Sequence, residues 1–201
     1  MSFASYAALQ TAIADQMARD DLTTQIVDFI TLFEAYSARR LQVREQETST
    51  TLTTSAGSVS LPTDYMVTRR LTYAGSVRRD LEYMHPAQLQ AQYPSTPNGI
   101  PINYTIEGGT IKVRPIDDSN SYEFDYFAKN TAVSSALNWL FNNYPDAYFS
   151  GSLFEAYSYD KDVNNATYWK ARRDEIFQEI ELRDFRSRGP MSIDIAGGIT
   201  P

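Results

Sequence analysis

The residues able to make or break bonds are few and scattered. The single histidine, His85, precedes Pro86. A Ser–His–Asp triad would need that imidazole as its base, yet no serine here lies in a nucleophile-elbow pattern. A polar residue just before a helix-opening proline is ordinary capping chemistry, so His85 reads as structural. Asp117-Asp118 is the one pair that suggests the carboxylates of a glycan hydrolase. Adjacent side chains in a turn usually diverge, and Asp-Asp-Ser-Asn is common turn composition. Asp160-Lys161-Asp162-Val163-Asn164 sets oxygens at alternate positions, as a calcium loop does. The loop's sixth position should be Gly and is Asn165, and its twelfth should be Glu and is Ala171. A polar turn between helices explains these residues better. Cysteine is absent, which excludes disulfides, thiolate metal sites and cysteine nucleophiles. No GxxxxGK[ST], HExxH or GxGxxG occurs, so no cofactor is expected.

The remaining signals are those of surfaces. Arginines come in pairs at Arg39-Arg40, Arg69-Arg70, Arg78-Arg79 and Arg172-Arg173, and a guanidinium suits bidentate ion pairs across interfaces. The 14 tyrosines suit a surface that is apolar yet wettable. Met191, Ile193 and Ile195 alternate with Ser192 and Asp194 between Gly189-Pro190 and Gly197-Gly198. That is a strand-like segment of the kind that adds to another subunit's sheet.

These groups hang on an α+β plan. The chain has 201 residues, enough to bury a sizeable core. Its 42% hydrophobic content is that of a folded protein. Tyr6, Leu9, Ile13 and Met17 form one helical stripe, and Leu22, Ile26, Phe29, Ile30 and Phe33 form a second. Asp20-Asp21 lie where they would cap the second helix. The Thr-rich stretch 46–54 predicts an edge strand or arm. Strands are expected at 59–61 and 66–73, the latter returning as a hairpin through 78–83, with a short helix over 86–92. Gly108-Gly109 between alternating segments predicts a tight hairpin, with 122–129 as a third strand of the same sheet. Phe149, Leu153, Ala156 and Tyr157 mark a further helix, in which Gly151-Ser152 permits close approach of a neighbour. A long helix follows from 166 to about 186, with Trp169, Ile176, Phe177 and Ile180 inward and Lys170, Arg173, Asp174 and Glu181 outward, ended by Gly189-Pro190. Residues 1–44 and 131–188 are expected to form a bundle of three or four helices, 45–130 an inserted antiparallel β-rich module, and 189–201 an extended C-terminal tail.

Net charge is −7 and the pI about 4.7. Such a surface repels phosphate backbones, so sequence-specific nucleic-acid binding is not expected. No apolar run approaches the length that spans a bilayer, and the first residues lack a signal-peptide pattern, so no membrane partner and cytoplasmic synthesis are expected.

Several segments resemble one family. Asp21-Leu22-Thr23, Ile26, Phe29-Ile30 and Phe33-Glu34-Ala35, running to Leu41-Gln42-Val43-Arg44-Glu45, are similar to the opening of tailed-bacteriophage head–tail adaptor (connector) proteins. Leu61-Pro62-Thr63-Asp64-Tyr65, Tyr104-Thr105-Ile106-Glu107-Gly108-Gly109, and Asn138-Trp139-Leu140 with Pro145-Asp146-Ala147-Tyr148 follow in the same order. Tyr36-Ser37-Ala38 departs from that pattern. The resemblance implies a non-enzymatic virion subunit at the head–tail interface, assembled in the host cytoplasm. It implies a ring, usually of twelve copies, between portal protein and tail or nozzle, through which DNA passes without specific binding. Arg39, Arg40, Arg44, Arg69, Arg70, Met191, Ile193 and Ile195 are then the candidates for contacts with the portal or a neighbouring subunit. The alternatives are a tail-associated cell-wall glycan hydrolase using Asp117 and Asp118, or a tail or baseplate subunit of another symmetry.

Overall fold

The computed structural model describes residues 3–187. In chain order the elements are α1 (Tyr6–Met17), α2 (Thr23–Arg40), a 3-10 turn (Arg44–Gln46), β1 (Glu47–Thr53), β2 (Ser58–Ser60), β3 (Tyr65–Tyr73), β4 (Arg79–Asp80), β5 (Glu82–Tyr83), α3 (Pro86–Gln92), β6 (Asn103–Glu107), β7 (Thr110–Arg114), β8 (Ser121–Ala128), α4 (Trp139–Asn143), α5 (Pro145–Tyr159) and α6 (Val163–Ser187). The class is α+β. The chain divides into two compact units, Met1–Val43 with Thr131–Pro201, and Arg44–Asn130.

In the helical unit, α1 starts on Ser5, whose Oγ accepts the Ala8 N–H at 3.2 Å, and ends on Ala18 in the left-handed region. Leu9 and Ile13 are its buried stripe; α2 buries Ile26, Phe29, Ile30 and Phe33 behind Leu22. The expected carboxylate cap of α2 is not made. Leu22 holds the cap position without a side-chain bond, and Asp21 instead accepts from Arg19 Nε at 2.7 Å and Nη2 at 2.8 Å. An adjacent guanidinium outbids the exposed helix N–H groups for that carboxylate. Helix α5 is buried on nearly every side from Ala147 to Leu153, so its sequence shows little amphipathic contrast. Gly151 lies against the ring of Phe33. Helix α6 begins three residues earlier than expected because Asp162 caps it: Oδ1 accepts the Asn165 N–H at 3.1 Å. The expected stop at Gly189-Pro190 lies outside the described residues. Helix α4 has no stripe of its own in the sequence; Asn138 starts it by accepting the Phe141 N–H at 2.9 Å.

The β unit holds two four-stranded sheets, ordered β1-β8-β3-β4 and β2-β7-β6-β5. The Thr-rich stretch is indeed an edge strand, and it pairs with β8 of its own chain. The Gly-Gly hairpin forms as expected, with Gly108 and Gly109 at φ 56° and 75°. Gly108→Val should cost about 1–3 kcal/mol through positive-φ strain alone, because nothing lies within 4 Å of the position where its Cβ would be. An unchanged thermal melt would show that the turn tolerates a branched residue.

Three strand expectations are corrected. β8 does not join the hairpin's sheet; it sits between β1 and β3 in the other one. There both of its edges are paired, and Tyr122, Phe124 and Tyr126 still face a core. The strand returning from β3 divides. β4 pairs with β3, whereas β5 crosses to the second sheet and lies parallel to β6, so the module is not wholly antiparallel. The alternation expected along 66–73, with Met66, Thr68 and Arg70 on one side and Val67, Arg69, Leu71 and Tyr73 on the other, also fails: register shifts fall between Tyr65 and Val67 and between Thr68 and Arg70. Bulges there reset which side faces inward, leaving Val67 and Arg69 exposed and Leu71 and Tyr73 buried.

Candidate functional site

The chemistry-capable residues are engaged in holding the fold. Asp117 accepts from the Tyr73 hydroxyl, from Asn120 Nδ2 at 3.0 Å and from the Ser119 N–H at 2.9 Å. Asp118 accepts from Thr54 Oγ1 at 2.6 Å and the Gly57 N–H at 3.0 Å. The Tyr73 hydroxyl holds the Asp117 carboxyl below its ordinary range, and the Thr54 hydroxyl does the same for Asp118. A glycosidase acid needs the opposite shift, so that it still carries a proton to give. His85 caps α3, its Nδ1 accepting the Ala87 N–H at 3.3 Å. Asp160 accepts from Arg19 Nη1 at 3.2 Å, and Asp162 is occupied by Asn165. Among the described residues no group of three His, Asp or Glu side chains is placed to hold a metal ion. Nor is any described helix long and apolar enough to cross a membrane.

The lowered carboxyls make a pH prediction for the β unit. Asp117, Asp118 and Asp125 (whose main partner is the Ser49 hydroxyl, then Arg70) all have folded pKa values below the ordinary 3.8. Their contribution is therefore full above the unfolded pKa and disappears as pH falls through the folded values. Thermal melts should hold steady down to about pH 5 and drop below about pH 4. The gap between wild type and Asp117→Asn should narrow over that drop, because the wild type loses what the variant lacks throughout. A gap constant to pH 2.5 would contradict the assignment.

The arginine candidates fall into two sets. In the helical unit Arg39 and Arg40 end α2 at the negative pole of its dipole. Arg40 donates two hydrogen bonds to the Glu181 carboxylate in a bidentate ion pair, from Nη1 to Oε1 and from Nη2 to Oε2, the latter at 3.1 Å. In the β unit Arg44 begins the 3-10 turn, Arg69 approaches Glu47 at 3.2 Å and lies over the Phe127 ring, and Arg70 grips Asp125 Oδ2 through two nitrogens at 3.0 and 2.8 Å. Arg69 and Arg70 share an open groove with Glu47, Thr48, Ser49 and Asp125. Met191, Ile193 and Ile195 lie outside the described residues.

The sequence motifs themselves converge within each unit. Glu34 of α2 accepts the Val133 N–H at 2.6 Å and the Tyr148 hydroxyl at 3.2 Å. That hydroxyl in turn accepts from Asn138 Nδ2 at 2.7 Å. Phe33-Glu34-Ala35, Asn138-Trp139-Leu140 and Pro145-Asp146-Ala147-Tyr148 thus meet in one polar network inside a core. Burial pushes the Tyr148 hydroxyl pKa far up, so it stays a neutral donor. In the β unit the Leu61 N–H reaches the Gly109 carbonyl at 2.9 Å, and the Tyr126 hydroxyl reaches Asp64 at 2.9 Å. This ties Leu61-Pro62-Thr63-Asp64-Tyr65 to the glycine hairpin on one side and to β8 on the other.

A family model described as SU10 adaptor protein matches residues 4–194, nearly the whole chain. The chain belongs to the SU10 adaptor protein family. None of the curated proteins compared with it gives a significant match. As a phage adaptor, this SU10-family protein is a structural component of the virion that works by contacting other head or tail proteins. Its motif residues carry the scaffold, which is why so many of them are buried or bonded to one another.

One residue of this adaptor is misplaced by sequence reasoning. Arg173, expected outward, is 4% exposed, with its guanidinium carbon 3.9 Å from the Tyr36 ring centre and 4.7 Å from that of Phe154. The signal was present: 173, 176, 177 and 180 share the i, i+3, i+4, i+7 spacing of one helical face.

Proposed function

We propose that this adaptor forms a closed ring, of twelve copies by resemblance, joining the portal protein to the tail or nozzle and extending the DNA channel. The family match over residues 4–194 is the observation that carries this reading. Net charge supports it: −7 per copy, repeated around a ring, makes an assembly of the same sign as phosphate, through which DNA slides without being held. The exposed arginines serve contacts between proteins. Arg39 and Arg40 end α2 in the helical unit, and in the β unit Arg44 begins the 3-10 turn while Arg69 and Arg70 lie on an exposed sheet face, each able to meet a portal or neighbouring subunit. The segment 189–201, with Met191, Ile193 and Ile195, docks on another subunit. Synthesis and ring assembly take place in the host cytoplasm.

Averaged images of the protein mixed with its portal test this. The expected result is an annulus of this chain on one face of the portal; particles without one would refute the ring. In a filter assay at moderate salt, free duplex DNA should be retained no better than by an unrelated acidic protein. Tight, salt-sensitive retention would contradict the conduit.

A further inference from the structure

Strand β1 is the outermost of its sheet. It pairs with β8 over all seven residues without a register shift, and among the described residues no strand pairs with its other side. In such an edge every second residue points its N–H and C=O outward. The other sheet edges are β2, β4 and β5, of three, two and two residues, so β1 is the one long open ladder among them. Its sequence, Glu-Thr-Ser-Thr-Thr-Leu-Thr, contains no lysine or proline, the residues that usually guard an edge.

The two faces of β1 differ. Thr48, Thr50 and Leu52 lie opposite Tyr126, Phe124 and Tyr122, three rings that are buried. Thr48 is exposed, while Thr50 and Leu52 are only half-buried. The apolar side of the sheet therefore runs out at β1, with threonine methyls and part of Leu52 in water. On the opposite face Glu47 and Ser49 border the groove that holds Arg69 and Arg70. A strand completing this edge needs three apolar side chains at alternate positions on one face; on the other, Arg69 and Arg70 are each paired with one carboxylate, Glu47 and Asp125, yet stay about half exposed, with further N–H donors to offer an acidic group. Met191, Ser192, Ile193, Asp194 and Ile195 have that order.

We propose that residues 191–195 of a second copy add antiparallel to β1, with Ile193 opposite Thr50. Met191 then lies opposite Leu52 and Ile195 opposite Thr48, continuing the buried face. Asp194 lies opposite Ser49, at the arginine groove. A parallel strand centred on the same residue would set Asp194 at Thr51, which does not line that groove. The proposal rests on the adaptor reading for bringing copies side by side, and it names the contact between them.

The chain's lack of cysteine allows a direct test with the full-length protein. Opposed residues of an antiparallel pair have Cα atoms about 4.5–5.5 Å apart, within disulfide range. A Thr50→Cys protein is mixed with an Ile193→Cys protein and assembled with portal. It should form disulfide-linked dimers roughly a hundredfold faster than Thr50→Cys mixed with Thr167→Cys, because docking raises a thiol at about 10 micromolar to about millimolar local concentration. Thr48→Cys with Ile195→Cys should link as well and guards against a defect of the first pair. Normal rings whose thiols link only at the control rate overturn the strand pairing and leave the adaptor reading standing. Linking of Thr48→Cys to Met191→Cys overturns the antiparallel register. A chain carrying both Thr50→Cys and Ile193→Cys that closes on itself as a monomer overturns the second copy as the source. Failure of the adaptor reading looks different: portal images then lack an annulus whichever cysteines are present.

Discussion

Replacing Gly151 by alanine is expected to lower the melting temperature, although alanine is the better helix former by about 1 kcal/mol. An added Cβ would stand 1.9 Å from Cδ2 and 2.4 Å from Cε2 of Phe33. The ring has little room to yield. It is 1% exposed and held edge-on by the rings of Tyr148, at 5.0 Å, and Phe177, at 6.0 Å. Overpacking of a dense core costs about 1–3 kcal/mol and sometimes more, and so short a contact belongs at the upper end. Set against the propensity gain, the net loss is about 2 kcal/mol, or some 4–8 °C for a chain of this size. Phe33→Ala alone should cost about 3–5 kcal/mol by leaving a cavity. In the double variant the new methyl enters space the ring has vacated, so the two losses should fall short of their sum by more than about 1 kcal/mol. Denaturant titration of the four proteins measures this directly. Strict additivity would mean that the Phe33 ring is not what limits residue 151.

How much of this was legible in the sequence depended on how local the deciding contact was. The Gly108-Gly109 hairpin was readable because its cause lies in two residues that accept positive φ and in the alternation on either side. The stripes of α1 and α2 were readable for a similar reason, since 3.6 residues per turn puts their apolar groups on one side whatever the partner. The sheet to which β8 belongs was not readable. Its own alternation is the same beside β7 as between β1 and β3, and the choice is made by strands some 50–80 residues earlier. The end of the returning strand after β3 was hidden likewise, because Leu81, the residue between β4 and β5, is where the chain leaves one sheet for the other.

The polar groups were harder still. Glu34, Asn138 and Tyr148 could be quoted as parts of separate motifs, but nothing local says that a carboxylate on α2 will receive the N–H of Val133 about a hundred residues on. Asp117 and Asp118 show the same limit from the other side. As a pair they suggested bond-cleaving chemistry, and only their partners, Tyr73 and Thr54, show them to be acceptors fastening the turn between β7 and β8. A buried polar group is defined by who satisfies it, and that information is tertiary.

Arg173 offers the sharpest test of that principle. Its side chain is 5% exposed yet carries a full charge, between two aromatic faces. Nε and Nη2 donate to Asp174 Oδ1 at 3.0 and 2.8 Å, and the Tyr36 hydroxyl donates to the same oxygen at 3.3 Å. Asp174 is 39% exposed, so water can replace these bonds if the guanidinium is removed. The loss on substitution is therefore chiefly stacking and packing. Arg173→Ala should cost about 3 kcal/mol, from two cation–π contacts of about 1 kcal/mol each and the buried stem. Arg173→Lys should cost about 1–2 kcal/mol, because an ammonium keeps the charge but cannot lie flat between two rings. Tyr36→Leu removes one face, and in that background the Arg-to-Lys difference should shrink by about half, a coupling that simple loss of charge would not produce. Because the contact is buried, 1 M salt should leave the Arg173→Ala loss nearly intact while it screens the exposed Arg172–Glu175 pair. An Arg173→Ala protein that melts within about 0.5 kcal/mol of wild type would be behaving as a surface substitution does, and would place this side chain back in solvent, where the hydropathy pattern had put it.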